Sequence, residues 1–189
     1  MKKEIGGYFE LEEMAGEEYY PNLYKVNLGR TALLWLLETR QYKKIYLPVF
    51  LCRSVIDICV EHDIEVEFYH LDADLNILLE ERELPAEECL YLVSYYGQLT
   101  DEKILYCQKV YGNVIVDHTH AFFQKPLKGV DTLYSCRKFW GVSDGAYVST
   151  DIALSGEKPE DRSGGRMSHI LGRYEENAGK YYQAMLDNA

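Results

Sequence analysis

The stretch that decides the fold starts at Leu90-Tyr91-Leu92-Val93-Ser94, passes through residues 101–111 (Asp-Glu-Lys-Ile-Leu-Tyr-Cys-Gln-Lys-Val-Tyr), and ends at Val114-Ile115-Val116-Asp117. Two short apolar runs flank eleven residues of helical pattern. Strands that are apolar on both faces, joined by one helix, form a βαβ unit of a parallel sheet covered on both sides. Working outward toward the N-terminus, residues 32–42 form a helix and Lys44-Ile45-Tyr46-Leu47 a strand stopped by Pro48. Residues 52–61 form a second helix, with Val55, Ile56, Cys59 and Val60 on one face, and residues 64–69 alternate with the period of a strand. Toward the C-terminus, Thr132-Leu133-Tyr134 and Ala146-Tyr147-Val148 complete the set. The class is α/β with a mainly parallel sheet. In such sheets ligands gather beyond the carboxyl ends of the strands. That rule marks residues 50–52, 95–98, 117–120 and 135–138.

The 189 residues suffice for one sizeable core. There are 20 basic and 31 acidic residues, a net charge of −11, with the cations scattered. Such a surface repels phosphate backbones, so no nucleic-acid partner is expected. The N-terminus lacks the apolar segment of a signal peptide. No apolar run reaches the roughly 18 residues that a bilayer requires. No membrane partner is expected either. The five cysteines show no CxxC spacing, which suits free thiols in a reducing cytoplasm better than disulfides or a zinc site. Residues 151–167 read as a polar linker, and 168–187 as one long helix interrupted by Gly172 and Gly179.

Three places carry candidate chemistry. Lys138 follows a strand and is flanked by Phe139 and Trp140. Loss of hydration there favours the neutral, nucleophilic amine that Schiff-base chemistry needs. The competing reading is a lysine that snorkels to the surface. Ser135, three residues earlier, can share a ligand with that amine across a tight turn. Asp117 ends an apolar strand, where a carboxylate needs a cation or donor. A protonated pyridine nitrogen meets that need; so does an ordinary ion pair. His120 lies close enough to touch such a ring or stack on it. Gly29, Arg30 and Thr31 open the first helix, where free N–H groups and the helix dipole suit a phosphate.

Taken in order, Gly29-Arg30-Thr31-Ala32-Leu33, Leu47-Pro48-Val49-Phe50-Leu51-Cys52, Tyr96-Gly97-Gln98, residues 116–122 (Val-Asp-His-Thr-His-Ala-Phe), Ser135-Cys136-Arg137-Lys138 and Asp144-Gly145-Ala146-Tyr147-Val148 resemble the fold-type-I pyridoxal-phosphate enzymes. The nearest likeness is to the sugar-nucleotide aminotransferases of the DegT/DnrJ/EryC1/StrS group, over roughly residues 5–150. The resemblance implies a three-layer α/β/α large domain with a sheet of the seven-stranded type, spanning 1–150 with an N-terminal arm at 1–23. The linker 151–167 and helix 168–189 would begin a small domain that is expected to be missing. It further implies a cytoplasmic, homodimeric transferase of sugar-nucleotide biosynthesis that binds pyridoxal 5′-phosphate. The amino donor would be an amino acid such as glutamate, and the acceptor a keto-sugar nucleotide. Lys138 would bond covalently to the cofactor and Asp117 would bind its ring nitrogen. His120 would lie near the ring, and Ser135 with Gly29, Arg30 and Thr31 would hold the phosphate. Cys52 falls where the family often places a ring-stacking aromatic, with Phe50 close by; either could face the ring. The segment Ser135-Cys136-Arg137-Lys138 is shorter than its counterpart in sugar aminotransferases.

Two other readings stand beside this one. The chain could be a truncated, non-catalytic module that keeps the fold for binding or dimerisation. Alternatively, Asp117, His118 and His120 could hold the metal of a hydrolase.

Overall fold

The structure, a computed structural model, describes residues 16–156 and 158–188. The first part of the expected N-terminal arm, 1–15, lies outside the described residues. The strands are β1 (Tyr24–Val26), β2 (Lys44–Pro48), β3 (Glu65–Leu71), β4 (Ile77–Leu78), β5 (Glu88–Val93), β6 (Val114–Asp117), β7 (Asp131–Ser135) and β8 (Ala146–Ser149). The helices are α1 (Gly29–Arg40), α2 (Arg53–Glu61), α3 (Asp101–Tyr111), α4 (Ser168–Glu175) and α5 (Tyr182–Asp187). One sheet runs β1-β8-β7-β6-β5-β2-β3-β4. Its five central strands, β7 to β3, are parallel, while β1, β8 and β4 join antiparallel at the edges. The eighth strand beyond the expected seven is β4, two residues that pair with the end of β3.

Period-two alternation divides the sheet's apolar side chains between two cores. Ile45, Leu47, Cys89, Tyr91, Ile115 and Leu133 pack against Ala32, Leu33, Leu36 and Leu37 of α1 and Cys59 of α2. Tyr46, Leu90, Leu92, Val114 and Val116 pack against Ile104, Cys107 and Tyr111 of α3 on the opposite face. This is a three-layer α/β/α arrangement. α1 presents its apolar residues at i, i+1, i+4 and i+5, and stops at Gln41, whose backbone turns left-handed (φ 61°). α3 is held at its start by Thr100, whose hydroxyl accepts from the Lys103 N–H, and by Asp101 and Glu102 against the positive dipole end; it stops at Gly112 (φ 81°).

The chain lays β3 on one side of β2 and then crosses to build β5, β6 and β7 on the other. The order reverses between β2 and β5, and this reversal opens a crevice at their carboxyl ends.

The C-terminal segment differs from the single long helix expected. α4 ends at Glu175, the Asn177 side chain accepts from the Gly179 N–H at 2.9 Å, and a short 3-10 turn over Ala178–Tyr181 leads into α5. An Asn side chain that satisfies backbone in this way competes with the helix and breaks it. Residues 151–167 are tied back to the body. Trp35 Nε1 donates to the Ser155 carbonyl, and Lys158 pairs with Glu38. Arg166 pairs with both Asp144 and Asp161.

Candidate active site

A cavity of about 470 Å³ lies at the carboxyl ends of β2, β5, β6 and β7, beside the start of α1. Its walls contain Gly29, Arg30, Cys52, Asp117, His120, Ser135 and Lys138, seven of the eight residues singled out in the sequence. Thr31, one residue further into α1 and partly buried, is not among the lining residues.

Asp117 forms part of the cavity's floor. It is the last residue of β6, paired in register with Val93 of β5. Only 6% of it is exposed. Its Oδ1 accepts the Thr119 backbone N–H at 2.7 Å, and its Oδ2 accepts the Tyr91 hydroxyl at 2.7 Å. Burial pushes its carboxyl above the usual range, while these two donors and the nearby His120 pull it back down. A buried carboxylate held by two neutral donors, facing a cavity, suits a cationic N–H.

Another part of the wall begins at Gly29. A side-chain carbon placed there would come within 3.9 Å of Ser135 Cβ, so the first turn of α1 and the end of β7 adjoin. The backbone between Ser135 and Lys138 makes a 3-10 turn, which brings Arg137 and Lys138 to the cavity. The base of this turn is fixed by the Cys136 N–H donating to the Gly145 carbonyl at 2.9 Å. Gly145 has φ 116°, a conformation that favours glycine, and an added Cβ would lie 3.3 Å from Cys136 Sγ, a tight contact. Burial and the nearby positive charge of Arg30 lower the Arg137 guanidinium's affinity for its proton. Two guanidinium groups and a helix N-terminus at one end of a cavity suit an anion such as phosphate.

The rim is exposed. Lys138, Phe139 and Trp140 face solvent, so the loss of hydration expected around the amine is not found, and His120 stacks on Tyr96 (5.9 Å between ring centres, 19° between planes). Tyr96 has a left-handed backbone (φ 53°), an unfavourable conformation for an aromatic residue. Phe50, 57% exposed, stacks on Tyr95, whose hydroxyl donates to the Phe50 carbonyl. Both Phe50 and Cys52 line the cavity. Cys52 occupies the position just before α2 without a side-chain capping bond, and Ser54 Oγ lies 3.2 Å from its sulfur. That contact, followed by the charges of Lys138 and Arg30, lowers its thiol's pKa against a partial burial cost.

The metal-triad reading of Asp117, His118 and His120 is corrected by the strand geometry. Asp117 faces the cavity on the α1 side of the sheet. The next residue, His118, is buried on the other side against Tyr134 (5.4 Å). Its Nδ1 has no hydrogen-bond partner, and burial lowers its pKa to about 4. Among the described residues no group of three or more His, Cys, Asp or Glu side chains is placed to hold a metal.

Sequence reasoning passed over Tyr91 and Ser54, which also line the cavity. Tyr91 reads as one apolar residue in an apolar strand. The available signal was parity: Tyr91 and Val93 share a face, and the partner strand ends in a carboxylate on that same face.

No family model matches the chain, and no curated protein matches it in sequence. Solved structures do match. The chain is similar to the sugar aminotransferase CalS13 from Micromonospora echinospora at 16% identity and a TM-score of 0.53, covering 70% of this chain and 42% of that one. It is similar to a DegT DnrJ EryC1 StrS aminotransferase from Brucella abortus at 18% identity and a TM-score of 0.54, covering 68% and 41%. A PLP-bound structure from Clostridium difficile 630 matches at 12% identity and a TM-score of 0.52, covering 68% and 42%. The chain therefore spans about two fifths of these three neighbours' length. The chain has the fold of the pyridoxal-phosphate-dependent aminotransferases, sugar aminotransferases among them.

Proposed function

We propose that this chain carries the cofactor site of a pyridoxal-phosphate-dependent aminotransferase that moves an amino group from an amino acid such as glutamate to a keto-sugar nucleotide. The observation that carries this reading is the sharing of one cavity by Lys138, Asp117 and the Gly29–Ser135 junction. An amine, a buried carboxylate and an anion cradle match the three parts of one ligand: its aldehyde, its ring nitrogen and its phosphate.

Bound pyridoxal phosphate supplies an aldehyde that amines attack and a ring that takes up the electron pair left when a substrate proton departs. Lys138 Nζ would be the amine that holds the cofactor covalently, and once free it would be the group placed to take up and return a substrate proton. Asp117 would hold the ring nitrogen in its protonated form from a buried position. Ser135, Arg30 and the N–H groups that open α1 would hold the phosphate. His120, Phe50 and Cys52, which share the cavity wall, would be the side chains available to contact the ring. Tyr19, Tyr96, Phe123, Phe139 and Trp140 are exposed near this rim, which supports a homodimer in which a second copy covers the site. No helix among the described residues is long and apolar enough to cross a membrane.

The test is titration of the protein with pyridoxal phosphate, followed by visible absorbance. A band that appears in the wild type and is missing in Lys138→Ala supports the reading; no band, or one that persists in Lys138→Ala, removes the covalent role. Turnover with glutamate then separates an enzyme from a binding module that keeps the cofactor without reaction.

A further inference from the structure

Asp117 is useful to a ring nitrogen only if it is ionised and aimed, and burial works against the first requirement. We propose that Tyr91 is a positioning residue for Asp117, its hydroxyl holding the carboxylate in the charge state and orientation that a cationic ring nitrogen needs. This inference rests on the cofactor reading of the cavity and deepens it.

Tyr91 lies within β5 with 1% of its surface exposed. Its hydroxyl reaches Asp117 Oδ2 at 2.7 Å, and the Thr119 N–H reaches Oδ1 at the same distance. The two donors come from different elements and approach different oxygens, so together they fix the plane of the carboxylate. Tyr91 is itself held. β5 pairs with both β2 and β6, and the Tyr91 carbonyl accepts the hydroxyl of the buried Tyr69 at 2.7 Å. The Tyr91 ring packs in the α1-side core. A rigid ring on a central strand cannot swing away, so the hydrogen bond is set before any ligand arrives.

The charge environment supports the same role. The titratable groups that act on Asp117 are Tyr91 on β5, Tyr95 in the turn after it and His120 beyond β6. Lys138, Arg137, Arg30 and Cys52 share the cavity from the ends of β7, α1 and α2. Burial pushes the phenols of Tyr91 and Tyr95 up, the latter to about 12, so both remain neutral donors at physiological pH. The Tyr91 bond is one of the influences that lower the carboxyl of Asp117 against burial. Its removal would raise that carboxyl further and leave one oxygen without a donor.

Tyr91→Phe deletes one oxygen and keeps the ring, so packing is retained. Affinity is measured for pyridoxal phosphate and for an analogue in which carbon replaces the ring nitrogen, across a pH series, with a thermal melt to confirm folding. In Tyr91→Phe we expect about tenfold weaker binding of pyridoxal phosphate, the size of one lost hydrogen bond to a charged group. The acid limb of its affinity should move to higher pH, and the analogue's affinity should stay unchanged. A purely structural role would weaken both ligands alike, and that result overturns the inference. Equal affinity of variant and wild type for pyridoxal phosphate also overturns it, with the cofactor reading left intact. Absence of binding by the wild type overturns both.

Discussion

The floor and the rim of the cavity are built differently. The floor, Asp117 with Tyr91 and Thr119, is buried, hydrogen-bonded at both carboxylate oxygens and rooted in central parallel strands. The rim, Lys138 with Phe139, Trp140 and His120, stands on turns and is open to solvent. Preorganised electrostatics must be paid for in burial, and only the floor shows that cost, in the raised carboxyl of Asp117. The rim has reach and freedom, as suits the role proposed for the Lys138 amine. Substitutions on the floor should therefore change both stability and binding, whereas rim substitutions should change binding or chemistry alone.

The largest expected effect is on the rim. Lys138→Ala should abolish covalent capture of the cofactor while moving unfolding free energy by less than about 0.5 kcal/mol, as for exposed residues generally. A melt that falls far more would break the comparison. On the floor, Asp117→Asn should weaken pyridoxal phosphate about 100-fold, the cost of removing one partner from a buried charge pair (about 3 kcal/mol). It should also change the pH dependence of stability. A carboxyl whose folded value is raised holds its proton more tightly folded than unfolded. The ligand-free protein therefore loses stability as pH climbs from the ordinary carboxylate range through the raised one. Denaturant titrations across that interval should show this slope in the wild type and a smaller one in Asp117→Asn.

Thiols sharpen the contrast at a smaller scale. Cys52 sits at the cavity with a lowered pKa, whereas burial raises Cys59, Cys107 and Cys136 to about 11 and raises Cys89 as well. Cys52 should react at least about tenfold faster than the other four with a thiol reagent at neutral pH. Added pyridoxal phosphate should slow it. Peptide mapping after brief labelling checks both.

The features that proved legible in the sequence share a cause. Asp101–Tyr111 and Val114–Asp117 fall at the expected residues because an N-cap at Thr100, the turn at Gly112 and the carboxylate at Asp117 mark their limits locally. The rule that ligands gather at the carboxyl ends of parallel strands marked Cys52, Asp117, Ser135 and Lys138, and the helix start marked Gly29; all five line one cavity. Features fixed by distant partners were not legible. β1 and β4 are three and two residues long and exist because β8 and β3 offer them open edges. Tyr91 lies in a run that is apolar throughout, as parallel strands are, so its place at the cavity shows only through its parity with Val93, which pairs with Asp117 on the neighbouring strand. The break near Asn177 depends on one side chain turning back onto its own backbone.

The central claim is that one cavity sets the Lys138 amine and the Asp117 carboxylate around a single aldehyde-bearing ring. Its most direct test is to incubate the protein with pyridoxal phosphate, reduce with borohydride and map the modified peptide by mass spectrometry. The account predicts one modified lysine, Lys138, and loss of the modification when Asp117 is changed to Asn at limiting cofactor. Stable attachment at another lysine, or none at saturating cofactor, would contradict it.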